Sequence, residues 1–229
     1  MNYIALISSV LVGSLVVILL KPKGKSTQLL LSFSGAYLLS TTVLHLLPEV
    51  FETHQENIGA YILVGILLQT ILEYFSKGVE HGHVHIHSHI HKIPWLIFLS
   101  LYIHAFVEGI PLASKENSTL LWAIVVHKIP ISIVLVAFLL KSDFLKKHAI
   151  MLILLFALMS PLGSFLSQEI SFFNDYQQVI TAIVIGVFLH IATAILFETS
   201  ENHQFNMKKF AVVLLGFGIA MLSTYIIGH

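Results

Sequence analysis

The chain has 229 residues, of which 56% are hydrophobic and only 10% are charged, and its formal net charge is zero. With a mean hydropathy of +0.88, this composition is far from that of a soluble domain and indicates a membrane protein. With this balanced charge, the chain has no excess of basic residues with which to bind nucleic acid. The absence of cysteine excludes disulfides, thiolate metal sites and iron–sulfur clusters.

Apolar segments long enough to cross a bilayer occupy most of the chain. A transmembrane helix needs about 20 apolar residues, and the sequence predicts eight such spans: Tyr3–Leu20, Gln28–Val50, Asn57–Phe75, Ile93–Ala113, Ser118–Leu140, Lys147–Leu166, Tyr176–Phe197 and Phe210–Ile227. These lengths suit helices rather than barrel strands. The prediction is therefore an all-α membrane bundle, with residues 1–229 forming a single transmembrane domain.

The lysines predict the orientation of the spans in a cell membrane. The loops 1–2, 3–4, 5–6 and 7–8 contain ten of them, namely Lys21, Lys23, Lys25, Lys77, Lys92, Lys141, Lys146, Lys147, Lys208 and Lys209. The opposite side has only Lys115. Because positive charge accumulates on the cytoplasmic side, we expect a multi-pass protein with both termini outside.

The second and third spans carry the first ionisable groups within apolar sequence. His45 and Glu49 are four residues apart near the outer end of the second span, with Pro48 beside them. This spacing places both side chains on one helix face, where they would form an entrance site or simply meet polar surroundings. Glu73, near the inner end of the third span, is predicted to be interfacial.

The segment at about 76–92 is rich in histidine at every second position. Its histidines are His81, His83, His85, His87, His89 and His91. A period of two would scatter the rings around a helix, so we expect an extended or flexible loop on the cytoplasmic side. Short tracts of this kind are typical of metal binding, although a solvated loop without a role remains an alternative.

The fourth and fifth spans hold the strongest candidates for a site. His104 and Glu108 are one helical turn apart in the fourth span, and His127 lies in the fifth. Ionisable groups are costly in hydrocarbon and usually mark an ion or substrate pathway. Pro111 and Pro130 follow them, and each frees the carbonyl four residues earlier. The pattern predicts a divalent-metal site between these two helices.

The seventh span contains one further histidine. His190 lies in its inner half, and Glu198 lies at its cytoplasmic end. Both residues are candidates for the exit route of an ion. A single histidine in a helix is, however, more often just hydrogen-bonded within the bundle.

Several segments together resemble the ZIP (Zrt/Irt-like) family of metal transporters. His104-Ala-Phe-Val-Glu-Gly109 is similar to the family's HNxPEG motif, and His127-Lys-Ile-Pro130 is similar to its HEIP-type motif. Leu44-His-Leu-Leu-Pro-Glu49, Ser160-Pro-Leu-Gly163 and Gly186-Val-Phe-Leu189 also fit. The order and spacing of these segments, with a His-rich loop after the third span, carry the resemblance.

The resemblance implies uptake of Zn²⁺, Fe²⁺, Mn²⁺ or a similar ion toward the cytoplasm. It implies a bundle of two inverted three-helix repeats around two central helices, a 3+2+3 arrangement whose site lies near the midplane. The similar segments Gly35-Ala-Tyr-Leu38 and Gly186-Val-Phe-Leu189, in the second and seventh spans, are a weak sign of such repeats. It further implies a homodimer, no enzymatic activity and no intrinsic cofactor, because the metal is the substrate.

Departures from the family pattern predict a single-metal site. Ala105, Lys128 and Ile131 stand where the family often has ligands for a second metal. His104, Glu108 and His127 remain, one short of the usual four for zinc, so water, a carbonyl or another helix would complete the set. We hypothesise that the Lys128 ammonium replaces the second cation and pairs with Glu108. A lysine facing a water-filled cavity is the alternative.

Other classes of protein explain less of the sequence. A b-type cytochrome would use His45, His104, His127 and His190 as haem ligands but would leave Glu108 and the His-rich loop unexplained. A zinc hydrolase would need a further acid or base, and no His-Glu-x-x-His occurs. A cation-diffusion exporter does not fit eight spans. A membrane sensor that binds metal without transporting it remains an alternative.

Overall fold

The computed structural model describes residues 2–22, 24–52, 56–79, 93–113, 118–142, 146–197 and 207–227. These residues form eight long helices: α1 (Asn2–Leu20), α2 (Gly24–Glu52), α3 (Ile58–Ser76), α4 (Trp95–Gly109), α5 (Ser118–Lys141), α6 (Lys146–Glu169), α7 (Gln177–Phe197) and α8 (Met207–Ile227). A short helix, Ser171–Asp175, precedes α7. The prediction of an all-α membrane protein is confirmed.

Seven of these helices are long and apolar enough to cross a membrane by length and composition. They are α1 to α7, with α4 counted together with its continuation to Leu112. The eighth predicted span is also helical, over Met207–Ile227. Each predicted span lies on a helix whose ends differ by only a few residues, because hydropathy fixes the apolar centre of a helix better than its polar ends.

The helix α5 is the most enclosed element of the bundle. In the apolar stretch of α5, 78% of the residues are buried, compared with 28% in α1. A helix that is apolar on all sides belongs in the interior of a bundle. The helices α1 and α2 both pack against α5, and the other extensive contacts pair α3 with α7, α8 with α2, and α4 with α6.

Glycine allows the backbones of α3 and α7 to approach closely. A Cβ atom at Gly65 would overlap the carbonyl group of Ile183, and a Cβ atom at Gly186 would overlap the carbonyl oxygen of Ile62. Small residues at such crossings let membrane helices pack by direct backbone contact. Any side chain at either position would force these two helices apart.

The helical hydrogen bonding changes near two of the prolines. In α2, residues Thr42–Leu46 form a π-helical turn before Pro48, in which Leu47 N–H donates to the carbonyl of Thr42. The helix α4 ends at Gly109 and continues as a 3₁₀ turn, Ile110–Ala113. In that turn, the Ile110 N–H donates to the Val107 carbonyl, which Pro111 would otherwise leave without its helical donor. The local change of helix type thus compensates for Pro111.

Candidate metal centre

Three side chains of metal-ligand type converge between α4 and α5. Glu108 Oε1 lies 3.0 Å from His104 Nε2 and 3.9 Å from His127 Nε2. The ligand atoms of all three residues lie within 4.8 Å of one another. His104 and Glu108 meet because they are one turn apart on α4, whereas His127 comes from α5 through tertiary packing.

The group is shielded from the surroundings on every side. The side chains of His104 and Glu108 are 1% exposed, and that of His127 is fully buried. The imidazole rings of His104 and His127 are nearly perpendicular, with their centroids 6.4 Å apart. An ion bound here would have few water molecules around it, so the protein ligands would determine its coordination.

Lys128 occupies the other side of the Glu108 carboxylate. Its ammonium lies 3.4 Å from Glu108 Oε2 and 4.6 Å from the centre of the Phe156 ring on α6. The Lys128 side chain is fully buried. Glu108 therefore presents one oxygen to the histidines and the other to a cation, and Phe156 adds a cation–π contact.

The helix α6 holds α4 in place behind the site. Ser160 Oγ donates a hydrogen bond to the carbonyl of Ala105, the residue after His104. Gly109 and Gly163 face each other at this crossing, where an added Cβ atom on Gly109 would overlap the backbone of Ser160. Because the two backbones touch, α6 fixes the height and rotation of the α4 turn that carries His104 and Glu108.

The donor set is suited to a divalent ion of the zinc type. Zinc binds imidazole nitrogen and carboxylate oxygen at about 2.0–2.2 Å, usually with four ligands. Three such donors lie close together here, and small side-chain rotations would bring them to bonding distance. Among the described residues, no other group of three or more histidine, aspartate or glutamate ligands is as close together.

His45 and Glu49 lie apart from this group, at a cleft between α2 and the start of α5. The cleft has a volume of about 290 Å³. It is lined by Leu44, His45, Leu46, Pro48, Glu49, Glu52, Thr119 and Leu120. Glu52, which the sequence analysis did not single out, adds a second carboxylate to the predicted pair. The structure does not bring these residues into the buried group.

His190 has a partner that the sequence analysis missed. Its Nε2 atom lies 2.5 Å from Glu73 Oε2 on α3, and its Nδ1 atom lies 3.5 Å from Thr70 Oγ1. Glu73, which is expected to be interfacial, thus also forms a specific contact between helices. Nothing in the local sequence indicates this contact, because the two residues lie 117 positions apart.

The remaining predicted residues lie outside the described part of the chain. They are Glu198 after α7 and the six loop histidines, His81, His83, His85, His87, His89 and His91. Their assignment to an exit route and to a metal-binding loop stays a prediction.

Comparison with protein families matches residues 76–224 to the family model described as ZIP zinc transporter. The matched segment contains α4 to α7 and most of α8, and therefore all three residues of the buried group. The helices α1 to α3 lie almost entirely before it, so the likeness at Leu44–Glu49 stays a prediction. A comparison with curated proteins finds no match.

Proposed function

Because the chain belongs to the ZIP zinc transporter family, whose members are membrane transporters of divalent metals rather than enzymes, we propose that it carries zinc toward the cytoplasm. Iron or manganese are the alternative ions. The proposed transport site consists of His104, Glu108 and His127. Two imidazoles and one carboxylate without a thiolate suit Zn²⁺ or Fe²⁺.

The observation that carries this proposal is the enclosed group of three ligands. Burying an imidazole pair and a carboxylate in a membrane protein is unfavourable unless something compensates for the lost solvation. A divalent ion would compensate for all three groups at once, whereas the Lys128 ammonium contacts only the carboxylate. A haem would account for the two histidines but not for Glu108, which lies within 3.9 Å of both Nε2 atoms.

Lys128 supports a site for one metal rather than two. Its ammonium lies 3.4 Å from Glu108 Oε2, beside the oxygen that faces the histidines. A second divalent ion at this carboxylate would meet a positive charge at close range. In the proposed site, Lys128 acts as a fixed cation that neutralises Glu108 when no metal is bound and weakens its hold on the metal during release.

The helix contacts support the inverted-repeat arrangement. In such a repeat, α1, α2 and α3 correspond to α6, α7 and α8, and α4 corresponds to α5. Under this correspondence the α3–α7 contact becomes the α8–α2 contact, and the α1–α5 contact becomes the α6–α4 contact. All four pairs are extensive contacts. We therefore propose two inverted three-helix repeats around α4 and α5.

The same correspondence relates the two histidines of the site. A Cβ atom at Gly13 would overlap the carbonyl oxygen of Ile129, and a Cβ atom at Gly163 would overlap that of Phe106. His127 and His104 each stand two positions before those carbonyls, so they are equivalent in the proposed repeats.

The central helices α4 and α5 differ at the positions of their charged residues. By the same equivalence, Glu108 on α4 corresponds to Ile131 on α5, and Lys128 on α5 corresponds to Ala105 on α4. Each of the two central helices therefore carries one charged residue, and the two charges have opposite sign. The two charges meet across the proposed axis, which makes the site asymmetric although its histidines are equivalent.

The lysine distribution supports the proposed orientation, with both termini outside and the His-rich segment cytoplasmic. His45 and Glu49 at the cleft between α2 and α5 are the proposed entrance, and His190 and Glu198 belong to the proposed exit. The histidines at 81–91 would then receive metal on the cytoplasmic side. A homodimer remains an expectation from the family, and a single domain spanning residues 1–229 remains a prediction from the apolar spans.

Zinc flux into proteoliposomes that contain a fluorescent indicator tests the transport proposal. We expect saturable flux from the wild type and flux at the level of protein-free vesicles from Glu108→Ala. Glu169→Ala is the matched control, because it removes an exposed carboxylate at the end of α6. All variants should be folded and inserted in the same orientation.

Two results would count against transport through this site. Equal flux from Glu108→Ala and the wild type would remove the site from the pathway. Flux at background level in every variant, with zinc still bound by the wild type, would favour the alternative of a metal-binding sensor.

A further inference from the structure

The aromatic ring of Phe156 on α6 is a third partner of the buried ion pair. The Lys128 ammonium lies 4.6 Å from the centre of this ring and 3.4 Å from Glu108 Oε2. We infer that Phe156 is a positioning residue of the proposed transport site, on whose function this inference rests. Its ring shares the Lys128 ammonium with Glu108 and so keeps the carboxylate available to a metal.

The ammonium lies between the carboxylate and the ring rather than against the carboxylate alone. Hydrogen bonds from an ammonium to a carboxylate usually measure about 2.7–2.9 Å between nitrogen and oxygen. The 3.4 Å separation of Lys128 and Glu108 is therefore long for a buried pair. The ring centre is well within the range of about 6 Å over which an aromatic face attracts a cation. The ring thus competes with Glu108 for the same positive charge.

Burial strengthens the contact between the ammonium and the ring. The side chains of Lys128 and Phe156 are both fully buried, and a cation–π contact is stronger when the cation is out of water. An ammonium has three N–H donors. Within the described part of the chain, Glu108 is the one acceptor of a hydrogen bond from this ammonium. The Phe156 ring is therefore the second feature of the described structure that offsets the burial of the charge.

The helix α6 fixes the ring relative to the metal ligands. Phe156, Ser160 and Gly163 are four and three residues apart, a spacing that places them on one face of α6. Ser160 Oγ donates to the Ala105 carbonyl, and the contact with α4 leaves no room for a Cβ atom at Gly163. Because both contacts involve the turn of α4 before Glu108, the ring and the carboxylate are held in a fixed relation.

The proposed repeats offer an internal comparison for this ring. Gly163 corresponds to Gly13 in these repeats. Phe156 and Leu6 each stand seven residues before these glycines, and both side chains are fully buried. The position on α4 that corresponds to Lys128 is an alanine. The half of the bundle that lacks the lysine therefore also lacks the ring, which agrees with a function of the two residues as a pair.

Sharing the ammonium favours metal binding at the carboxylate. A divalent ion that binds Glu108 draws the carboxylate toward itself and repels the Lys128 ammonium. Since the ring already attracts the ammonium, the ion does not have to break a full ion pair. A ring with less negative charge on its face would leave the ammonium closer to Glu108, and zinc would bind less tightly.

Fluorination of the ring at position 156 tests the inference with little change in side-chain shape. Phenylalanine analogues with one, two and three ring fluorines withdraw electron density from the ring face and weaken its attraction for a cation stepwise. Zinc titration of the full-length protein in detergent measures the affinity, and Glu108→Ala gives the binding that does not involve the buried group. We expect the affinity to fall with each fluorine, by about tenfold in total.

The matched control is the same set of analogues in the Lys128→Met variant. The zinc affinity should not change there, because no ammonium is present for the ring to attract. A second control places the analogues at Phe188, which is fully buried on α7, and should also leave the affinity unchanged. Melting curves in chelator add a readout without metal. The melting temperature should fall with each fluorine at position 156 more steeply when Lys128 is present than in Lys128→Met.

Two results would overturn the inference and leave transport through the buried group intact. One is a zinc affinity that stays constant across the fluorinated series. The other is an equal loss of affinity in Lys128→Met, which would assign the effect to packing of the ring rather than to charge. Zinc binding by the wild type that equals that of Glu108→Ala would instead overturn the proposed transport site, and the inference with it.

Discussion

The molecule contains two histidine–carboxylate contacts that use the same chemistry in different surroundings. Between α4 and α5, His104 and Glu108 are 1% exposed. Between α3 and α7, His190 and Glu73 are 20% and 30% exposed. The buried carboxylate has the Lys128 ammonium 3.4 Å away, whereas the carboxylate of Glu73 is partly exposed. Burial, more than ligand type, therefore determines whether the protein must supply a counter-charge.

The physical reason is the strength of charge interactions away from water. Removing a carboxylate from water is costly, and a nearby cation offsets the cost only if it lies close and is well oriented. Lys128 meets this condition at Glu108. Because Lys128 also competes with a metal for the same carboxylate, we expect the buried site to bind tightly but not irreversibly.

His127→Ala should produce the largest change, a loss of zinc affinity at the buried group. It removes one of three ligands and leaves two neighbouring groups on α4. Losing a residue that merely supports a ligand often costs 10–100-fold in metal affinity, so we expect a loss of about 100-fold or more. Zinc titration of the purified protein measures it, with His148→Ala as the control. An unchanged affinity would exclude His127 from the site.

Lys128→Met should show what the counter-charge does. Without the ammonium, Glu108 is a buried and uncompensated charge when no metal is bound, which costs about 3–5 kcal/mol. We expect a lower melting temperature in chelator, a larger stabilisation by zinc and about tenfold tighter binding with slower flux. Thermal melts with and without zinc measure the effect.

The control for this experiment is Lys141→Met, which removes an exposed ammonium at the end of the same helix. If Lys128→Met changed neither the affinity nor the flux, the proposed pairing with Glu108 would have no functional role.

Ser160→Ala should have a smaller effect that reports how α6 aligns the site. It deletes the hydrogen bond to the Ala105 carbonyl, and a typical hydrogen bond contributes about 0.5–1.5 kcal/mol. We expect a loss of zinc affinity of roughly threefold to tenfold, with the three ligands intact. Ser142→Ala is the control, because Ser142 also donates to a backbone carbonyl, that of Leu139. A loss of the same size in the control would argue against a positioning role.

His190→Ala should have the smallest effect on the buried site, and this tests whether the two groups are independent. Groups that share no partner usually contribute additively, within about 0.5 kcal/mol. His190→Ala should therefore change the zinc affinity of the buried site by less than about threefold when it is introduced into the wild type. It should change the affinity by no more than this when it is introduced into His127→Ala. A double-mutant cycle measures this coupling. A larger coupling energy would mean that α7 and α4 act as one unit.

The helices and the buried ligands could be predicted from the sequence for separate reasons. Apolar runs of sufficient length fix the helices, since the backbone in a membrane has few other ways to satisfy its hydrogen bonds. The four-residue spacing of His104 and Glu108 fixes their common face on α4. His127 could be added to this pair of candidate ligands because ionisable residues are rare in apolar spans.

The pairing of Glu73 with His190 could not be predicted in this way. The two residues lie on helices distant in the sequence, and neither belongs to a spaced motif. Their contact depends on the close packing of α3 and α7, where Gly65 and Gly186 remove the side chains that would separate the backbones. A single sequence does not reveal which of several glycine-containing helices face each other. The polar contact at such a crossing is hidden for the same reason.

The amino-acid sequence is enough to show that this chain is helical and hydrophobic, and that its rare ionisable residues within apolar spans have the chemistry of metal ligands. These properties depend on local composition and on spacing within one helix. The packing of the helices had to be known before three contacts could be seen: His127 meets Glu108, Lys128 lies at the opposite carboxylate oxygen, and Glu73 meets His190. Such contacts depend on the rotation and height of each helix against its neighbours. The packing of the whole bundle sets both.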